Sequence, residues 1–215
     1  MGHGHDHDHD PPARTWDDPG RGLLARWIER ARRLVGRRTP GREGLRELPV
    51  ALRRGEVAQR YLAAERDADH RRAGAAAAAA MEQAMSTHAW WPADLWGHRA
   101  LWHFERAELT LQATRQARRI GDLRSAAGDP SSARRYYAEA IDEARDIGAE
   151  HEQGLAALGL GRALLDLGEV KAGRRMGAAA EALLVQAGAS AVELEAARGL
   201  RGSEVAVGER TEVIE

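Results

Sequence analysis

Residues 120–141 read IGDLRSAAGDPSSARRYYAEAI, and this stretch decides the fold. Its centre, Gly128-Asp129-Pro130, is punctuation. Glycine permits the left-handed turn that ends a helix, and proline after an aspartate opens the next one where its missing N–H is not needed. The flanks are rich in Ala, Arg, Leu and Glu, all strong helix formers. Gly121 falls mid-helix, where glycine costs about 1 kcal/mol relative to alanine, so the close approach of a second helix is the expected reason for it. The stretch predicts a helical hairpin.

The pattern then repeats. Ile120-Gly121 recurs as Leu160-Gly161, Gly128-Asp129 as Gly168-Glu169 and Gly208-Glu209, and Ala140 as Ala180, each step being forty residues. A fixed period in this range, carried by glycines at two phases and small residues at a third, is the signature of stacked hairpins rather than a closed globule. By the same logic Gly161 marks a second close approach and Gly168 a second turn.

Ile120-Gly121, Gly128-Asp129, Ala133, Tyr137 and Ala140-Ile141 resemble the tetratricopeptide pattern of leucine-glycine, glycine-aspartate, alanine, aromatic, alanine-aliphatic at the same internal offsets. The forty-residue spacing resembles the long-helix variant of bacterial regulatory proteins. The copy at 154–187 departs from the pattern at Gly173 and Gly177, where alanine and an aromatic are wanted. Extended backwards, the phase places Met81, Ala93 and Ala100-Leu101 in a degenerate copy at 74–107. The resemblance implies an all-α solenoid of antiparallel helical hairpins, about three repeats, over residues 74–215. The copies are 74–107, 114–147 and 154–187, followed by a capping helix within 194–215.

Upstream, Leu23, Leu24, Trp27, Ile28, Ala31, Leu34 and Val35 recur at helical spacing, so residues 22–35 read as an amphipathic helix stopped by Gly36 and Pro40. A second helical stretch runs through Leu52, Val57, Tyr61 and Ala64, and Gly74 reads as a break. The expected organisation is a disordered His/Asp-rich tail at 1–20, a basic helical segment at 21–73 and the repeat domain at 74–215. Cysteine is absent, which excludes disulfides, thiolate metal sites and cysteine nucleophiles. The apolar run 75–81 is far short of the roughly 20 residues that span a bilayer. With no transmembrane segment and a polar N-terminus, the expected location is cytoplasmic.

Thirty-two basic and thirty-three acidic side chains leave a formal charge of -1, so any charge-driven partner must be met locally. Arg21 to Arg54 holds eleven Arg against Glu29, Glu43 and Glu47, a local charge of +8. That segment suits a docked helix with a solvated arginine face, an acidic protein or anionic membrane surface, or a phosphate backbone. No helix-turn-helix, zinc finger or stacking platform accompanies it, which disfavours nucleic acid.

His3, His5, His7 and His9, interleaved with Asp6, Asp8 and Asp10, offer imidazole and carboxylate ligands for loose, exchangeable binding of a divalent transition metal. An affinity tag or a solvated tract reads the same way. No other cofactor is expected. Around Trp90 to Phe104, His98 and His103 stand about 140° apart on one helix and cannot share a ligand site. Trp91, Leu95, His98 and Trp102 fall at i, i+4, i+7, i+11 and read as a packing stripe.

The resemblance also implies a concave groove lined by the first helix of each hairpin. Its offsets fall on Arg115, Arg118, Asp122 and Ser125, then on Leu155, Leu158, Arg162 and Leu165, with Glu195 and Arg198 following. The strip suits a protein or an acidic peptide with apolar anchors, where arginine forks a carboxylate. The carboxylate clamp of chaperone-binding members needs asparagine, which this chain lacks. No metalloprotease helix, phosphate loop, dinucleotide turn or nucleophile elbow is present. The function expected is a non-catalytic scaffold or adaptor, with metal handling through the tail and anionic-surface association through 21–54 as alternatives.

Overall fold

The structure, a computed structural model, describes residues 55–202. The readings made on the tail with His3, His5, His7 and His9, on the amphipathic stretch 22–35 and on Gly208 lie outside the described residues. Within them the chain forms eight α-helices and no strand: α1 Glu56–Arg66, α2 His70–Ser86, α3 Trp90–Arg106, α4 Thr110–Ala126, α5 Pro130–Asp146, α6 Glu150–Asp166, α7 Val170–Gln186 and α8 Ala191–Gly202. Neighbouring helices pack in sequence order, and α4 with α6, and α6 with α8, also touch. The expected all-α architecture is what the described residues adopt.

The regular spacing comes from the turns. The backbone enters the left-handed region at Ala68, His88, Glu108, Gly128, Gly148, Gly168 and Gly188, one turn every twenty residues. At the central hairpin the turn closes with two hydrogen bonds, Gly128 N–H to the Ser125 carbonyl at 3.0 Å and Asp129 N–H to the Arg124 carbonyl at 2.8 Å. Asp129 then caps α5 by accepting from the Ser132 N–H at 3.0 Å, with Pro130 in the first turn. The expected turns at Gly128 and Gly168 are both present. The forty-residue period thus holds two equal half-steps, each a 17-residue helix plus a three-residue connection.

Side-chain volume locks the helices together. A Cβ on Gly121 would stand 2.8 Å from the Tyr137 ring, and a Cβ on Gly159 would press on the same ring from α6. The ring of α5 therefore lies between two glycines, which accounts for Gly121 in mid-helix. In the preceding hairpin the sizes are reversed: Met81 occupies the first-helix position and Gly97 the second, with the Met81 sulfur 3.0 Å from where a Gly97 Cβ would be. In the last hairpin both positions are glycine, Gly161 and Gly177, and Leu200 of α8 fills the space. There the α6 and α7 backbones meet directly, since a Cβ on Gly173 would lie 2.9 Å from the Gly161 carbonyl oxygen. A second complementarity spans thirty residues, with Gly74 under the Phe104 ring and Gly154 under Leu184.

Two expectations need correction. Gly74 is no break: it is buried inside α2, where the absence of a side chain admits Phe104. Because α1 packs on α2, the contacts run across the expected 73/74 boundary. The stripe Trp91, Leu95, His98, Trp102 is not the buried face of α3 either. Trp91 is 52 % exposed whereas Trp96, Leu101, His103 and Phe104 are buried. The reason is that α3 is contacted from several directions, with Tyr61 of α1 edge-on to Trp96 and Tyr136 of α5 bonded to His98, so no single stripe describes it.

Candidate functional site

The predicted strip lies on α4, α6 and α8, and its centre is an ion-pair ladder. Arg119 on α4 donates to Glu82 on α2 at 2.9 Å and reaches Asp122 at 3.9 Å. Asp122 accepts from Arg118 at 2.8 Å and from the Tyr137 hydroxyl at 2.9 Å. Arg118 continues to Glu152 on α6, whose second oxygen accepts from Arg115 at 3.3 Å. Three guanidinium groups are thereby matched by three carboxylates across three helices, and Glu152 is only 4 % exposed.

The electrostatics follow from that burial. Burial works against charge on Arg118, but Asp122 and Glu152 outweigh it and hold the guanidinium above its ordinary value. Burial likewise pushes the Asp122 carboxyl up, against the pull of Arg118 and the Tyr137 hydrogen bond. The Tyr137 phenol is driven far above its usual range by burial and by the neighbouring Asp122 carboxylate. It is a fixed donor at any physiological pH.

The strip residues consequently separate. Arg118 and Asp122 are half-buried members of the ladder, and Arg115 shares Glu152 while half of it stays in water. Leu158 is 6 % exposed and packs in the core with Leu184 and Leu200, so it presents no surface. Leu155 and Leu165 are half-buried at the edge of the same cluster. Arg162 is exposed and makes no ion pair among the described residues. Arg198 is exposed and donates to Glu181 at 2.8 Å. The expectation missed Glu152, Glu82 and Arg119. Glu152 stands 37 residues after Arg115 and Glu82 stands 37 before Arg119, each about one helical turn short of the forty-residue step between first helices, and that step was the signal available for both.

A second polar cluster is buried where α1, α2 and α3 meet. His103 lies with Nε2 at 3.1 Å from the Tyr61 hydroxyl and 3.4 Å from Glu65 Oε1, and with Nδ1 at 3.0 Å from His70 Nδ1. Arg99, 5 % exposed, donates to the Tyr61 hydroxyl at 2.9 Å. Burial pushes the Tyr61 phenol up to about 12, against the pull of Arg99. His98 faces Tyr136 instead, its Nε2 at 2.8 Å from that hydroxyl, so the two histidines of α3 serve different neighbours. Among the described residues no group of three or more His, Cys, Asp or Glu is arranged to hold a metal ion. No described helix is long and apolar enough to cross a membrane. In comparison with known proteins, no family model and no curated protein matches the chain.

Proposed function

We propose that the protein is a non-catalytic scaffold of the tetratricopeptide type, a solenoid that binds a protein or peptide along the face of α4, α6 and α8. The observation that supports this reading is the forty-residue hairpin repeat, with Gly121 against Tyr137 at the offsets where that family pairs a glycine with an aromatic. Hairpins that bury their faces only on neighbours leave one long surface for a partner. On that surface the ladder consumes Arg118 and Asp122 as structure, and Leu158 belongs to the core. The contact set is therefore Leu155, Arg162 and Arg198 with the outer edge of Arg115, a basic and aliphatic strip suited to an acidic partner.

The test is site-specific photo-crosslinking from positions 155 and 162, with position 175 on α7 as the control. Partner adducts from 155 and 162 are expected, and those from 155 should be lost in Arg162→Glu. The same adducts from 175, or undiminished adducts from 155 in Arg162→Glu, would overturn the assignment.

A further inference from the structure

The cluster around His103 plays no part in the strip, yet it controls how α1 is held. Both groups at His103 Nε2, Tyr61 and Glu65, belong to α1, while Nδ1 faces His70 of α2. The remaining charged neighbour is Arg99 on its own helix; among the described residues no ionisable group of α4 or α5 bonds to this imidazole. We propose that α1 is a pH-released latch, in which protonation of His103 undocks α1 from α2 and α3 and uncovers the aromatic surface of Trp96 and His103 while the later hairpins stay folded.

The argument is geometric and electrostatic. A neutral imidazole satisfies the site, because with one ring N–H and one lone pair it can exchange a hydrogen bond with His70 on one side and with Tyr61 on the other. An imidazolium would be a second cation, beside the buried Arg99 guanidinium, in a place 1 % exposed. Glu65 opposes this but lies at 3.4 Å and is itself on α1. Burial, with His70 and Arg99 adding to it against Glu65, brings His103 down to about 4. Undocking α1 returns water to the ring, and with it the ordinary value of 6.5. Release is local because α1 has 11 residues and, among the described residues, packs chiefly on α2, whereas α5 and α6 each pack between two described helices.

The sign follows from linkage. A group whose value is depressed in the docked state stabilises docking above 6.5 and withdraws that support as the pH falls towards 4. Between pH 8 and pH 5 the docked-to-undocked ratio should fall about thirty-fold.

Hydrogen exchange on the full chain, corrected for intrinsic rates, reads this directly. Amides of α1 in the wild type should lose about thirty-fold in protection from pH 8 to pH 5 while those of α5 and α6 hold. His103→Gln, which keeps a donor and an acceptor without a titratable charge, should abolish the loss. Should that variant not fold, His70→Gln is the second arm, and it should retain the loss because His103 is intact. The proposal is overturned by α1 protection that stays within about threefold in the wild type, by parallel loss in α1, α5 and α6, or by an undiminished loss in His103→Gln.

Discussion

The Tyr137 ring offers the sharpest check on how the helices are held, because it sits between Gly121 on α4 and Gly159 on α6. Adding a methyl at Gly121 places a carbon 2.8 Å from the ring, so the ring must retreat by about 0.6 Å to reach ordinary contact. Retreat from Gly121 carries the ring towards Gly159, where the approach is closer still. Overpacking of this kind costs about 1–3 kcal/mol, and the gain from replacing a mid-helix glycine by alanine returns about 1 kcal/mol. Gly121→Ala should therefore destabilise by up to about 2 kcal/mol, and Gly159→Ala by more. In a Tyr137→Ala background, itself weaker by about 3–5 kcal/mol, the clash is gone and only the helix gain remains. The sign of Gly121→Ala should then reverse, to a stabilisation of about 0.5–1 kcal/mol. Urea unfolding followed by far-ultraviolet circular dichroism on all four members of the cycle measures this. Equal destabilisation in both backgrounds would refute the idea that Gly121 exists to admit the ring.

Leu200→Ala should cost about 3–4 kcal/mol, near the upper part of the range for such truncations, because Gly161 and Gly177 have no side chains with which to refill the hole; thermal unfolding reads it. Ala68→Gly and Glu108→Gly should each raise the urea midpoint by the equivalent of about 0.5–1 kcal/mol, since both residues hold a left-handed backbone at φ 54° and 56° that a Cβ disfavours. A fall in the midpoint would show that these turns are not strained. Glu152→Ala should lose on the order of 2–3 kcal/mol by leaving Arg118 half-buried with one carboxylate fewer, whereas Arg115→Ala, at a side chain 55 % exposed, should lose about 0.5 kcal/mol. Equal losses would mean the ladder is a surface feature.

The hairpins were legible in the sequence wherever a glycine did the turning. Gly128 and Gly168 reveal the forty-residue step, and Gly148 and Gly188 stand midway, so the twenty-residue half-step is equally legible from 128 onward; upstream, Ala68, His88 and Glu108 make the same turn without a glycine, which hides it there. Gly74 misled for the complementary reason: glycine as a space for Phe104 looks, in one dimension, like glycine as a stop. The sequence places the strip residues on α4, α6 and α8 but does not give their ion pairs. Counting arginines cannot reveal that Arg118 already faces two carboxylates, because Glu152 comes from the next hairpin and outside the family's groove offsets. Leu158 was misjudged because an offset carried over from a family says which way a residue points on average, whereas the glycine-rich α6 packs closely enough to draw that leucine into the core.

The exchange of volume between paired positions limits how such a chain can change over time. Gly74 with Phe104, and Gly154 with Leu184, each divide a fixed space between two helices, and Met81 with Gly97 divides another in the opposite proportion to Gly121 and Tyr137. A single half of any pair cannot drift in size alone. Duplicating or exchanging one helix without its companion would bring ring against ring or leave a void, so the heritable unit here is the matched hairpin. Where such a seam passes between hairpins, as with Tyr137 and Gly159, even that unit is not freely interchangeable.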